Sequence, residues 1–187
     1  SLADMPRQIG RTPKAILMVS AHWEAPAFTV QGNPKPPMIY DYGGFPPHTY
    51  EVHYDAPGSP ELAERVQSLI AAAGLPVQID PERGYDHGMF SPMAAIYPKA
   101  DVPVVQLSLR RGLDPAEHLA LGHALAPLRD EDVLIANPNT VAAPCIRIVR
   151  FSGESMATTR PLLMITTRWQ VCETSGRMCV LSTIVWV

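Results

Sequence analysis

Two of the six histidines in the chain occupy positions from which a side chain could bind a ligand. His22 follows the apolar run 15–19, which predicts a strand buried on both faces. His87 lies between Gly84 and Gly88, in a predicted loop just before a helix. Imidazole binds catalytic transition metals and transfers protons near neutral pH. The two positions therefore suggest metal or acid–base chemistry. A hydrogen-bonded strand-end histidine and a loop histidine without a role are the alternatives.

Other residues near these histidines could contribute to a binding pocket. Asp86, next to His87, could orient an imidazole or could form a turn. The segment 40–46 is rich in aromatic residues and glycine, and its Tyr40 and Phe45 could stack on a planar substrate. The alternative is a Gly/Pro turn whose rings pack on the core. The remaining histidines are predicted to lie at the surface: His48, His53, His118 and His123.

Alternating strands and helices must position these residues. Helices are predicted from Pro60 to the stop at Gly74, over 90–97 and over 115–128, by helical spacing and capping residues. Apolar runs predict strands over residues 15–20, 28–30, 77–79, 102–109 and 133–136. This order predicts an α/β fold with a central, mainly parallel sheet flanked by helices. Open sheets of this kind bind ligands at the carboxyl ends of their strands, where His22 is expected.

Composition excludes several classes of protein. The 187 residues are 47% hydrophobic and 18% charged, which predicts a globular domain with a core. The net charge of −3 and the lack of a basic stripe argue against nucleic acid or an anionic membrane as a partner. No apolar run is long enough to span a bilayer. The three cysteines do not form a disulfide framework, and we therefore expect a cytoplasmic protein.

Several motifs, in order, resemble one enzyme family. The chain resembles the DOPA-dioxygenase type of class III extradiol aromatic ring-opening dioxygenases over about residues 13–136. The helix from His118 to Leu128 continues the match. The segments that carry it are SAHW (20–23), IYDYGGFP (39–46), YDAPGSPELA (54–63), GYDHG (84–88) and YPKADVPVVQLS (97–108).

The resemblance implies a single non-haem metal centre, Fe(II) or Zn(II). His22 matches the family's metal-binding histidine in the Ser-Ala-His-Trp motif, and His87 matches an active-site histidine near the substrate. The implied reaction is extradiol cleavage of a small aromatic diol by O₂, with the metal holding both reactants. Alternative functions are a metal-dependent hydrolase on the same scaffold and a non-catalytic protein that binds aromatic compounds.

Three departures from the family pattern concern further histidines. The family's N-terminal Gly-His-Gly-Ser-Pro motif would precede residue 1. Asn137-Pro138-Asn139-Thr140 stands where the family has a Gly-Ser-Gly run and then His-Asn-Leu, and no histidine follows His123. Catalytic metal sites usually need about three protein ligands. We therefore expect the chain as written to be inactive as a dioxygenase.

The residues after Ala136 differ in composition from those before it. Residues 137–187 contain no histidine, lysine or aspartate but hold all three cysteines. Segments 164–169 and 178–187 are rich in strand-forming residues. A genuine domain would normally keep Lys and Asp at its surface. We therefore predict two parts, a dioxygenase-like core over 1–136 and a non-matching tail over 137–187, for which an out-of-frame reading is one explanation.

Overall fold

A computed structural model of the chain describes residues 2–137 and the two strands 163–171 and 178–186. The chain divides into two compact units, Ser1–Pro138 and Asn139–Val187. The first unit has four α-helices: α1 (Met5–Ile9), α2 (Pro60–Ala72), α3 (His87–Ile96) and α4 (Pro115–Ala124). Its strands are β1 (Ala15–Ala25), β2 (Phe28–Gln31), β3 (Met38–Ile39), β4 (Val77–Asp80), β5 (Tyr85–Asp86), β6 (Val104–Arg110) and β7 (Val133–Ala136).

Five of these strands form the central sheet, in the order β4-β2-β6-β1-β7. β1 runs parallel to β6 and β7, and β2 runs parallel to β4. Within this five-stranded sheet, β2 and β6 pair antiparallel. The predicted α/β fold with a mainly parallel sheet and flanking helices is therefore confirmed. The short strands β3 and β5 form a separate parallel pair.

The two faces of β1 have different surroundings because successive side chains of a strand point in opposite directions. Leu17 belongs to the main apolar cluster, together with Leu62 and Val66 of α2 and Leu121 of α4. Ser20 lies on the opposite face, where its hydroxyl contacts Asp86. The sheet therefore has a hydrophobic face under α2 and α4, and its other face leads to the polar residues at the start of α3.

The capping residues explain where α2 begins and ends. The Ser59 side chain accepts a hydrogen bond from the Leu62 backbone N–H, and Pro60 occupies the first turn, where its missing N–H costs nothing. Gly74 follows the helix with a φ of 73°, in the left-handed region that glycine adopts without strain. The predicted helix from Pro60 to Gly74 is confirmed.

Three predicted boundaries are wrong. β1 does not stop at residue 20 but continues to Ala25, which pairs with Arg110 of β6. α3 begins at His87 rather than at residue 90, because Asp86 caps it. The helix predicted over 115–128 is α4 only to Ala124. It is followed by a 3₁₀ segment, Ala126–Glu131, which contains a proline that cannot donate to an α-helical ladder.

The second unit contains two described strands, β8 (Leu163–Val171) and β9 (Met178–Trp186). They pair antiparallel, with Leu163 opposite Trp186 and Val171 opposite Met178. The two segments predicted to be strand-forming lie within or largely within these strands. Among the described residues, no helix has the length and apolar character needed to cross a membrane.

Candidate metal centre

His22 lies in an irregular part of β1. Ser20 pairs with Ser108 of β6 and Glu24 pairs with the next residue, Leu109. β1 therefore advances four residues while β6 advances one, which leaves three extra residues, 21–23, in β1. Such a bulge re-aims side chains that a regular ladder would direct alternately to the two faces of the sheet. His22 thus leaves the regular register at the carboxyl end of a buried strand, the end at which open α/β sheets bind ligands.

His22 and His87 are neighbours. Their ring centroids are 4.2 Å apart and their planes are inclined by 60°. The prediction that the two imidazoles lie within roughly one small ligand of each other, on the order of 10 Å, is confirmed. Their secondary structure differs from the prediction, because His22 lies within β1 and His87 is the first residue of α3.

A carboxylate, that of Asp41, joins the two histidines. Oδ1 of Asp41 lies 2.7 Å from Nδ1 of His87 and accepts a hydrogen bond of 2.9 Å from the His87 backbone N–H. Oδ2 of Asp41 lies 3.5 Å from Nδ1 of His22. An ionised carboxylate only accepts hydrogen bonds, so Nδ1 of His87 carries the proton in this contact, and in the neutral ring Nε2 then has the free lone pair.

The environment of Asp41 favours its charged form. Partial burial by itself would raise the pKa of this carboxyl, but hydrogen bonds from the backbone and ring of His87 act in the other direction, and the pKa is lowered below its ordinary value of 3.8. Asp41 is therefore negatively charged at neutral pH, as a metal ligand or an imidazole-orienting group must be.

The donor set fits a divalent transition metal. His22, Asp41 and His87 each offer one ligand atom, and these atoms lie within 4.8 Å of one another. Two imidazole nitrogens and one carboxylate oxygen suit Fe(II) and Zn(II). In the contacts described above, Asp41 faces the Nδ1 atoms. The carboxylate is hydrogen-bonded to the His87 ring and lies within ion-pair distance of the His22 ring. A carboxylate on one ring nitrogen, with the other facing the metal, is common for metal-binding histidines.

Gly88 makes room for His22. A Cβ atom placed on Gly88 would lie 2.5 Å from Cδ2 and 3.3 Å from Nε2 of the His22 ring. Real Cβ atoms essentially never approach to 2.5 Å, so no other residue fits here unless His22 moves. The glycine of the Asp-His-Gly motif is thus explained by the close approach of the ring, a reason that the sequence could not supply.

Asp86 lies beneath the histidines. It is completely buried, and its Oδ1 accepts a hydrogen bond from the Met89 backbone N–H, which caps α3. Oδ2 accepts hydrogen bonds from Ser20 and Gln106, both at 2.8 Å. Both oxygens are thus occupied inside the protein, and the assignment of Asp86 to the substrate-binding residues stays a prediction. The carboxylate that contacts the imidazoles is Asp41 instead.

Aromatic residues surround the outer side of His87. The Tyr42 ring meets the His87 ring edge to face at 5.1 Å, and Phe45 meets Tyr42 at 5.5 Å. Tyr40 contacts Tyr42 at 6.1 Å, and its hydroxyl donates a 2.8 Å hydrogen bond to the Val52 carbonyl. Phe45 is 59% exposed. The rings of segment 40–46 therefore contact one another in a chain. Tyr42 is the member of this chain that contacts His87.

The other histidines lie outside this cluster. His48, His53 and His123 are exposed. His118 is half-buried, where it contacts the Phe28 ring at 5.3 Å and the Asp114 carbonyl at 2.7 Å. Sequence reasoning did not single out Asp41 and Tyr42, although both lie in the aromatic segment that it quoted. Nothing in the sequence near Asp41 or Tyr42 indicates contact with His87. Asp41 lies 46 residues before His87, and the fold brings the two together.

The α/β sheet thus holds two imidazoles and a carboxylate, a group that could bind a metal ion, beside the end of a strand. Residues 4–137 match the family model described as the catalytic LigB subunit of aromatic ring-opening dioxygenase. The chain belongs to this family of extradiol dioxygenases, which confirms the resemblance seen in the motifs.

Individual relatives agree with the family match. The chain is 48% identical over 135 residues to a 4,5-DOPA dioxygenase extradiol of Beta vulgaris, covering 72% of this chain and 50% of that protein. It is 44% identical over 145 residues to the protein of that name in Escherichia coli K12, covering 76% and 52%. Dioxygenase tasH of Hapsidospora irregularis is 41% identical over 152 residues, covering 81% and 47%. The chain thus spans about half the length of these relatives.

A solved structure shares the fold. The crystal structure of an uncharacterized protein from Escherichia coli K12 superimposes with a TM-score of 0.58 at 36% sequence identity. The superposition covers 81% of this chain and 57% of that one.

Proposed function

We propose that the first unit supplies part of the active site of an extradiol ring-cleaving dioxygenase. In this proposal His22 is a metal ligand and His87 is the acid–base group beside the substrate. The observation that carries it is the pair of imidazoles, 4.2 Å apart, with one carboxylate facing both Nδ1 atoms. A bound Fe(II) or Zn(II) would act as a Lewis acid toward a catechol, and Fe(II), which unlike Zn(II) has redox chemistry, would also supply a place for O₂ beside it.

The residues of this chain would act on the substrate's proton and position. Nε2 of His87 is free to accept a proton from a catechol hydroxyl, since Nδ1 is held by Asp41. The charge of Asp41 would stabilise the imidazolium that results. Tyr42, Tyr40 and Phe45 would limit how a planar ring lies against His87. DOPA is the first catechol to test, since it appears in the names of several relatives. A cytoplasmic location is part of the proposal.

The chain as written is proposed to bind metal without efficient ring cleavage. Among the described residues, the cluster offers three donor atoms, and Asp41 is already engaged by the two Nδ1 atoms. With Asp41 orienting the rings and His87 acting as the acid–base group, His22 is the metal ligand that remains among the described residues, whereas usual catalytic sites have about three protein ligands. Turnover would then be weak even though the metal binds.

The test is anaerobic loading of the purified chain with Fe(II) or Zn(II), followed by measurement of metal per chain and of O₂ uptake with DOPA. We expect metal retention that depends on His22 and little O₂ uptake. Stoichiometric O₂ consumption with ring cleavage would overturn the proposed inactivity. Catechol binding without metal retention would replace the metal site with a non-catalytic aromatic-binding function. Hydrolysis that needs no oxygen would favour the metal-dependent hydrolase.

A further inference from the structure

We propose that Asp86 is a positioning residue whose single buried carboxylate sets the places of both His22 and His87. The inference rests on the proposed function, because it concerns the proposed metal ligand His22 and the proposed acid–base group His87. Asp86 touches neither imidazole through a hydrogen bond in the described contacts. It acts through one intermediate on each side, and the two sides begin at different oxygens.

The first branch leads from Oδ2 to His22. The Ser20 hydroxyl donates a 2.8 Å hydrogen bond to Oδ2 of Asp86, and the same hydroxyl accepts a 3.2 Å hydrogen bond from the His22 backbone N–H. Ser20 is completely buried. This branch holds β1 where its register with β6 is interrupted, so it replaces a constraint that the sheet does not provide there.

The second branch leads from Oδ1 to His87. Oδ1 accepts a hydrogen bond of 3.2 Å from the Met89 backbone N–H and so caps α3. His87 is the first residue of that helix, directly after the cap. The direction in which α3 leaves its cap therefore determines where the His87 side chain begins.

The surroundings of Oδ2 require an acceptor. It receives hydrogen bonds from Ser20, from Nε2 of Gln106 at 2.8 Å and from Nη2 of Arg83 at 3.3 Å. Gln106 cannot simply reverse its amide, because its Oε1 accepts a 3.1 Å hydrogen bond from the Asp86 backbone N–H. An asparagine would have to turn its NH₂ group to one of the two sides. On one side it would face the donors of Ser20, Gln106 and Arg83, and on the other it would face the Met89 N–H. An aspartate satisfies both sides at once.

The charge has a built-in counterpart. Arg83 forms an ion pair with Asp86 and stacks on the Trp23 ring, 4.5 Å from its centroid. Burial of a carboxylate is costly unless it is paired and hydrogen-bonded. An apolar side chain would avoid this cost if only packing were needed. The retained carboxylate therefore points to a task that needs two directed acceptors, and the two histidine branches provide that task.

The test uses three variants of the full chain. Ser20→Ala removes only the His22 branch, and Asp86→Asn disturbs both. Ser59→Ala is the matched control, because it removes a capping side chain from α2, outside both branches. The first measurement is the position of the His22 and His87 side-chain signals in ¹⁵N-edited NMR spectra of the metal-free protein at one pH. The second is the Zn(II) dissociation constant from calorimetry, and the third is Tm.

We expect Ser20→Ala to shift the His22 signals and leave those of His87 in place. Asp86→Asn shifts both, and Ser59→Ala shifts neither although its Tm falls. The Zn(II) dissociation constant rises about tenfold or more in the first two variants and stays the same in the control, as for the loss of a group that orients a metal ligand.

Two results would overturn the inference while leaving the metal site intact. The first is that wild-type protein binds Zn(II), but the His22 and His87 signals of Ser20→Ala are the same as those of wild type. The other is an equal loss of affinity in Ser59→Ala, which would show that general stability is responsible. If Asp86→Asn does not fold, Ser20→Ala still decides the His22 branch. A third result separates the two proposals. If the variants show the expected signal shifts but wild-type protein binds no Zn(II), the proposed function is refuted and the positioning role is supported.

Discussion

The backbone of Gly88 lies directly against the imidazole of His22, so that a Cβ atom on Gly88 would stand 2.5 Å from Cδ2 of the ring. Gly88 is in the first turn of α3 and His22 is in β1, so this contact joins the helix to the strand at the candidate metal centre. The candidate ligand His22 can therefore occupy its position only because residue 88, 66 residues later, has no side chain.

Gly88→Ala is expected to displace His22 and to weaken metal binding. Alanine is favoured over glycine within helices by roughly 0.5–1 kcal/mol, so helix propensity alone would make this substitution stabilising. The clash with His22 opposes that gain. We expect at least a tenfold weaker Zn(II) affinity, measured by calorimetry. Gly122→Ala is the control, since a Cβ at this α4 glycine meets nothing within 4 Å. Equal Zn(II) affinities in both variants would contradict the steric argument.

His22→Ala is expected to remove metal binding. Loss of a group that only orients a metal ligand lowers metal affinity about tenfold or more. Loss of the ligand itself should lower it by at least as much. The measurement is metal per chain after anaerobic loading and dialysis. His123→Ala provides the control, because His123 is exposed on α4 and outside the cluster. Unchanged metal content in His22→Ala would refute the assignment of this residue as a ligand.

Asp41 is expected to make stability depend on pH at the acid end. Its pKa in the folded protein is lowered below 3.8, mainly because hydrogen bonds from His87 outweigh the opposing effect of burial. The unfolded chain therefore takes up the proton first as pH falls. The stabilisation by Asp41 is complete above the unfolded pKa, near 4, and is lost as pH drops through the lower folded value.

The check is the urea midpoint of wild type and Asp41→Asn between about pH 5 and pH 2.5. The difference between the two proteins should be largest at the upper end of this range and should shrink toward the lower end. An exposed carboxyl, Asp130→Asn, serves as the comparison. A difference that grows as the pH falls would show that the carboxylate is not stabilised by His87.

The tail is proposed to be unrelated to the second half of the family. The match to the family model ends at residue 137, where the composition also changes. The match to dioxygenase tasH covers 81% of the chain and therefore extends past that residue. If a frame shift explains the change, the coding DNA read in one of its other two forward frames should give a His-Asn-Leu-like stretch shortly after Ala136. Sequencing that DNA with its flanks is sufficient. A single uninterrupted frame without such a stretch would leave residues 137–187 as a genuine variant.

The alternation of apolar strands with capped helices predicted the fold, because those signals are local. The Ser59 cap and the stop at Gly74 show this most clearly. The site was predicted only in part. His22 and His87 were found from a strand end, a glycine-flanked loop and family motifs, and their proximity follows from the sheet. The contact of Asp41 with His87 spans 46 residues and has no local signal, so only the folded chain reveals it.

Asp86 shows that the direction of a side chain is not visible in the sequence. Its place beside His87 suggested a group that orients an imidazole or forms a turn. In the structure β5 turns the side chain inward to the donors of Ser20 and Gln106, and it caps α3. Sequence adjacency to a functional residue says little about direction, since neighbouring side chains in extended backbone point to opposite sides.

The three extra residues in β1 separate two demands that a regular strand would combine. Before the bulge, Leu17 is held by core packing, and any change there costs stability. Within the bulge, residues 21–23 stand outside the regular ladder with β6. Substitutions within the bulge can alter the side chains presented at the sheet edge, while β1 stays paired with β6 before and after the bulge. Trp23, at the end of the bulge, is buried under Arg83, so within the bulge the freedom to change belongs to residues 21 and 22.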